Sequence, residues 1–215
     1  MEKMSSPQEL ETFFAWLKKT SEQYWEVTEL NRTIYGFQIQ KGTKWLPGLS
    51  EPDITEYERS MGFAFPEVYK QFLKCMNGTD KSTINIYGES GEPYRYEVGF
   101  FSYPRDLEKV KAQIDWIREA FKITSEGIEQ RHIPHIMPIL GHRFLVMDRC
   151  EGNPVLSMYE DDVILYASSL PQLLVTEIFQ EGDSTRLVAS NKKIEQLLRR
   201  ELPSKFKGKV KFWLE

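Results

Sequence analysis

Cysteine, histidine and long apolar runs are all scarce in this sequence, and each scarcity excludes something. There are two cysteines in 215 residues, Cys75 and Cys150. They lie 75 positions apart and neither belongs to a C-x-x-C pair, which excludes a disulfide framework and a zinc ribbon. Both read as reduced cysteines near the core. No stretch approaches the ~18 apolar residues of a membrane span, so no membrane partner is expected. The first residues, MEKMSSPQELETFF, hold no positive segment followed by an apolar run. Without a secretory signal, the expected location is cytoplasmic. The G-x-S-x-G elbow, the GxxxxGK[ST] loop, the GxGxxG fingerprint and HExxH are all missing.

The three histidines, His132, His135 and His142, fall close together. His132-Ile133-Pro134-His135 has an HxxH spacing, but Pro134 disfavours helix at Ile133, so a shared helical face is not assured. A zinc site would also need two further ligands, and Asp148 or Cys150 would serve only through long-range folding. Cys75 lies inside an expected helix beside an apolar stripe, which suits packing rather than nucleophilic chemistry. The expectation is therefore no metal, no cofactor and no catalytic residue. Gly88-Glu89-Ser90-Gly91 is flexible, but its glutamate repels phosphate, and it reads as a turn.

Basic charge is also short over most of the chain. The net charge is −4, yet Ser184–Glu215 carries nine Lys/Arg against three Glu, leaving the first 183 residues at −10. An acidic body repels phosphates, so no direct nucleic-acid partner is expected. The basic tail reads as a solvated helix face with a lysine-rich edge strand, or as a contact for an acidic partner or for the body itself.

What the chain does have is an ordinary globular composition, with 40% hydrophobic, 13% aromatic and 28% charged residues. Its length corresponds to about 1.4 typical domains, so one domain with extensions is expected. Ser6-Pro7-Gln8-Glu9 reads as a helix start with N-cap, N1 proline and N3 glutamate. Leu10, Phe13, Phe14 and Leu17 follow at helical spacing. Thr33–Gln40 reads as a strand. Pro52–Met61 and Pro66–Met76 read as short helices, the second ended by Asn77-Gly78. Ser82–Tyr87 and Tyr96–Phe101 read as strands. Asp106–Phe121 is the clearest helix, with Leu107, Val110, Ile114, Ile117 and Phe121 in one stripe.

Ile136–Leu140, Arg143–Asp148, Val155–Tyr159 and Val163–Ala167 form short runs with tight polar breaks, an antiparallel meander. Ser169-Leu170-Pro171-Gln172 caps a helix to about Gln180. A helix over Lys192–Arg200 and a strand over Val210–Leu214 complete the pattern. Helices, then strands, then helices make an α+β fold with an antiparallel-rich sheet. The expected organisation is an N-terminal helix and strand over 1–46, a core over 47–182 and a basic extension over 183–215.

The ordered set Pro47-Gly48-Leu49-Ser50, Ile54, Glu58, Met61-Gly62, Phe65-Pro66, Tyr69, Phe72 and Asn77-Gly78 resembles the SUKH superfamily signature. Ile136–Ile178 resembles the same family's strand meander and closing helix, with G-x-x-F-L-V-M-D and S-x-P-x-L-L. The physical reading of the motif is architectural. Pro66 sets the angle between two helices, Asn77-Gly78 lets the chain turn, and Glu58 is placed to hydrogen-bond backbone in that corner.

The resemblance implies a non-enzymatic, protein-binding bacterial domain. Foremost, it implies an immunity protein that occludes the active surface of a cognate toxin, such as a nuclease or deaminase. Alternatively, it implies a scaffold-type regulator of cell-wall and glucan synthesis.

The acidic runs give the candidate surface. Glu151 lies in one expected turn, and Glu160, Asp161 and Asp162 lie in another at the opposite end of Val155–Tyr159. Such a run either solvates a turn or binds a partner. Three carboxylates in one wet environment do not provide the contrast that acid–base catalysis needs. Tyr159 and Tyr166 are the aromatic anchors of the expected partner-binding set: Glu151, Tyr159, Glu160, Asp161, Asp162 and Tyr166.

Overall fold

The computed structural model describes residues 6–33, 36–86, 93–95, 99–150, 152–179, 182–201, 210 and 212–214. It begins with α1 (Pro7–Val27), whose first turn is closed by the Ser6 hydroxyl accepting from the Glu9 N–H. The helix buries Leu10, Phe13, Phe14, Leu17, Tyr24 and Trp25. Fully burying each such side chain stabilises by about 1.5–3 kcal/mol. Its main partner is α3 (Glu67–Cys75), where Phe14 meets Phe72 edge-on at 5.8 Å.

Two small antiparallel sheets come from the first half of the chain. One orders β1 (Gly36–Ile39), β4 (Thr83–Ile86) and β5 (Pro93–Arg95), and the other pairs β2 (Trp45–Pro47) with β3 (Met76–Thr79). Between β2 and β3 the chain forms α2 (Glu51–Met61) and α3. A reciprocal capping box between Ser50 and Asp53 starts α2, and Gly62, left-handed at φ 80, ends it.

Glu58 does what its corner position suggests. Its Oε1 accepts from the Phe65 N–H at 2.6 Å and pairs with Lys70 Nζ at 2.8 Å, holding α2 against the start of α3. Gly48 lies under the end of α3. A Cβ there would overlap the Lys74 carbonyl, and Leu49 N–H donates to Leu73 O at 2.8 Å.

Asn77-Gly78 corrects the expected helix stop. The backbone is already extended at Met76, and both residues lie inside β3. Asn77 exchanges two hydrogen bonds with the Tyr103 backbone, at 2.6 and 2.9 Å. Gly78 is held at φ 73, where a Cβ would stand 2.7 Å from the Phe100 and Phe101 carbonyl oxygens. The dipeptide is thus kept for close backbone approach rather than for ending a helix.

The second half is a four-stranded antiparallel meander in sequence order. Its strands are β6 (Ile136–Leu140), β7 (Arg143–Val146), β8 (Val155–Tyr159) and β9 (Asp162–Ala167). The alternating apolar runs and the Gly141-His142 and Glu160-Asp161 breaks place all four. β7 ends at Val146, two residues short of Asp148, whose carboxylate accepts from the His135 N–H.

On the β6 side, Phe100 forms an isolated bridge to Leu140, and α4 (Leu107–Ala120) packs on β6. Val110, Ile114 and Ile117 of α4 are buried, with Leu107 and Phe121 packed beside them. α6 (Leu170–Ile178), capped by Ser169, packs on β9 and β1.

Two short helices were not anticipated. α5 (Ser125–Gln130) buries a single apolar residue, Ile128, and α7 (Asp183–Ala189) buries none. Neither gives an amphipathic pattern to read. α8 (Lys192–Glu201) was expected, and it buries Ile194, Leu197 and Leu198 in the common core. The expected strand at Val210–Leu214 is instead a turn over Phe212–Leu214. Its aromatics are used for packing: Trp213 lies edge-on to Phe121 at 5.3 Å and donates to Pro134 O at 3.0 Å.

A strand is described at Pro93–Arg95, just before the expected Tyr96–Phe101, and of that expected strand Phe100 forms an isolated bridge. Residues 96–98, the turn around Gly88 and Gly91, the first half of Thr33–Gln40 at residues 34 and 35, and Lys205, Lys207 and Lys209 lie outside the described residues. No described helix is long and apolar enough to cross a membrane.

Candidate functional site

The candidate surface is the β8–β9 hairpin. Tyr159 and Asp162 face each other across a two-residue turn, Glu160-Asp161. Glu160 sits in the left-handed region at φ 53, which a residue with a Cβ adopts at a cost of about 1–2 kcal/mol. Glu160, Asp161 and Asp162 are all exposed, and none forms an ion pair with a described cation.

Tyr159 is 63% exposed, and its ring rests edge-on against Trp116 of α4 at 5.3 Å. Further along β9, Ile164 is 55% and Leu165 38% exposed. An acidic tip therefore adjoins three large apolar side chains in open solvent. Ile164 and Leu165 were not singled out in the sequence, because an alternating strand does not say which face its partner elements leave bare.

Of the other expected residues, Tyr166 lies near the far end of β9 from this tip. Glu151 falls outside the described residues. Two positions earlier in sequence, Arg149 reaches both Glu129 carboxylate oxygens at 2.9 and 2.8 Å and donates to the Ile128 and Ile133 carbonyls. Tyr166 is half-buried, with the Arg143 guanidinium 3.8 Å from its ring centroid. Burial, then the nearby Glu177 carboxylate, pushes the Tyr166 hydroxyl above its ordinary range. Arg143 also pairs with Glu177 at 3.0 Å and donates to Ser157 Oγ at 2.7 Å.

This cluster lines a cavity of about 360 Å³ between the end of α1, β1 and α6, with Trp25, Phe37 and His142 among its other walls. Burial, and then the Arg143 charge, lowers the His142 pKa to about 4, so the ring is neutral near pH 7. Arg143 and Glu177 lie far apart in sequence, and neither stood out there.

The histidine spacing separates in space. His132 is exposed, with φ 52. His135 stacks on Phe63 at 4.4 Å, its Nδ1 lies 2.7 Å from Asp148 Oδ2, and its backbone N–H donates to Asp148 Oδ1 at 2.8 Å. Burial alone would raise the Asp148 pKa, but these hydrogen bonds outweigh it and hold the carboxyl below its usual value. Among the described residues, no group of three or more His, Cys, Asp or Glu is placed to hold a metal. Cys75 is half-buried, and burial pushes its thiol pKa up, away from nucleophilic use.

No curated protein and no solved structure matches the chain. A family model does match, over residues 48–193, a span that contains the Glu58 corner, the Gly48 and Gly78 approaches and the whole meander. That match covers well over half of the sequence, and the chain belongs to the SMI1 / KNR4 family (SUKH-1).

Proposed function

We propose that the chain is an immunity protein that binds a cognate toxin domain and covers its active surface. The family's proteins are generally non-catalytic immunity and regulatory proteins. The observation that carries the reading is the hairpin tip, where three exposed carboxylates adjoin exposed Tyr159, Ile164 and Leu165.

Interfaces combine aromatic and aliphatic anchors with a polar rim, and a surface of this kind serves recognition without chemistry. A nuclease toxin must present a basic surface to hold phosphates. A deaminase acting on nucleic acid faces the same demand. An acidic tip accelerates encounter with such a surface and repels the nucleic acid that competes for it. Inhibition by occlusion needs no catalytic group.

Affinity capture from the native organism, read by mass spectrometry, tests the reading. A toxin domain recovered in stoichiometric amount supports it. Recovery of wall-synthesis enzymes alone overturns it.

A further inference from the structure

We infer that the outer edge of β9 is a docking strand, and that its occupant is an extended segment of a partner protein with basic residues at the end that meets Glu160–Asp162. This deepens the reading of the hairpin as a protein-binding surface, and rests on it, by naming how the partner is held.

β9 closes the sheet, and among the described residues it pairs with β8 alone. The opposite edge differs, since Phe100 bridges to Leu140 of β6 there. Strand pairing fixes which backbone groups of β9 are open. Met158 N–H donates to His142 O at 3.0 Å, so Met158 turns its backbone toward β7. Hydrogen-bonding direction alternates along a strand, so Ser157 faces β9, where Ile164 is its partner. Ile164 then faces β8, and Val163 and Leu165 turn their N–H and C=O groups outward.

Over Val163–Leu165 the described edge has no lysine, proline or bulge. Natural edge strands are blunted by lysine, proline or an early bulge. Val163-Ile164-Leu165-Tyr166 has no lysine or proline. The register shift falls at the far end, where Leu156 pairs with Leu165 and Val155 with Ala167, making Tyr166 the extra residue. Asp162 to Leu165 is left regular, with Ile164 and Leu165 exposed on opposite faces. An added strand would satisfy the open backbone groups and cover both side chains.

Charge selects the occupant. A second copy of this chain would bring another β9, which holds no basic residue and one aspartate. It would gain nothing from the three carboxylates at the tip. A strand with lysine or arginine near the tip gains directly.

The test uses the full ¹⁵N-labelled chain and three synthetic peptides. The first alternates threonine and valine and ends in three lysines. The second replaces the lysines with glutamates. The third keeps the lysines but is N-methylated at alternate residues, which preserves charge and side chains and removes strand pairing.

The expected result is that the lysine peptide shifts the Val163 and Leu165 amides most and slows their exchange. The glutamate and methylated peptides should bind at least roughly tenfold more weakly. Asp161→Lys with Asp162→Lys should reverse the preference between the charged peptides. Equal binding of the methylated peptide, no shift at millimolar lysine peptide, or largest shifts away from β9 overturns the proposal. So does concentration-dependent broadening at Val163 and Leu165 without peptide, which would give the edge to a second copy.

The functional reading fails separately. A chain that protects against a toxin but ignores the lysine peptide overturns edge docking alone. A chain that takes the peptide at β9 supports edge docking even where it protects against nothing.

Discussion

Replacing Gly48 by alanine adds one methyl group where the fold has no room for it. The new Cβ would overlap the Lys74 carbonyl oxygen and lie 3.1 Å from the Cys75 carbonyl carbon. Both neighbours are backbone, so no rotamer change relieves the clash. The end of α3 would have to move by on the order of 1 Å, yet Leu49 N–H is bonded to Leu73 O and Tyr69, Phe72 and Leu73 are buried.

Overpacking into a well-packed core costs about 1–3 kcal/mol, and more where backbone must shift. A loss of at least about 3 kcal/mol is expected, a large share of the 5–15 kcal/mol of a typical domain. Gly62→Ala is the control. Gly62 has φ 80 but open space around its missing Cβ, so only the left-handed backbone is penalised, by about 1–2 kcal/mol. Urea unfolding followed by tryptophan fluorescence reads both variants, since Trp45 packs on Phe72 at 6.0 Å. A Gly48→Ala loss below about 1 kcal/mol, or one no larger than that of Gly62→Ala, would refute the close approach.

Three further outcomes follow from the same contacts. Ile114→Ala, on the buried face of α4, should lose roughly 2–5 kcal/mol in the same assay by leaving a cavity; a loss under about 1 kcal/mol would mean the stripe is not buried. Because the folded state lowers the His142 pKa from 6.5 to about 4, the unfolded chain binds the proton more readily. Stability should therefore fall as pH drops from about 6.5 toward 4. The ring is only partly buried, so solvent screening leaves a loss on the order of 1 kcal/mol by pH 5. His142→Phe should flatten that slope, and an unchanged slope would assign it to other groups. Charge reversal at Asp161 and Asp162 should slow toxin association more than it speeds dissociation, and the native association rate should fall with salt. Surface plasmon resonance at two salt concentrations checks both, and a rate indifferent to both would remove these residues from the interface.

The meander was legible in sequence because each strand is an apolar run of four to six residues closed by polar breaks at Gly141-His142 and Glu160-Asp161. α1 and α4 were legible because their buried residues recur every three or four positions. The family signature could be read as geometry: Gly48 and Gly78 mark backbone contacts, and Glu58 marks a helix corner. Features set by tertiary contact were not legible. Asn77-Gly78 has the local chemistry of a helix stop, and only its meeting with Phe100, Phe101 and Tyr103 puts it in a strand. Val210–Leu214 has the composition of a strand, but burial of Trp213 beside Pro134 draws it into a turn.

For the candidate surface, the acidic turn was visible as a charge run. The bare edge beside it was not, because exposure of Ile164 and Leu165 depends on what packs against β9. Arg143, Tyr166 and Glu177 come from β7, β9 and α6, and no spacing in the sequence joins them.

The proposed hairpin block of a toxin's active surface is tested most directly by titrating the captured toxin domain's own activity with this chain. Activity should fall linearly to zero at one chain per toxin, and recover when Asp161 and Asp162 are both replaced by lysine in a chain that unfolds at the native urea midpoint. A stoichiometric complex that leaves the toxin fully active would contradict the proposal, as would inhibition that the double reversal leaves untouched.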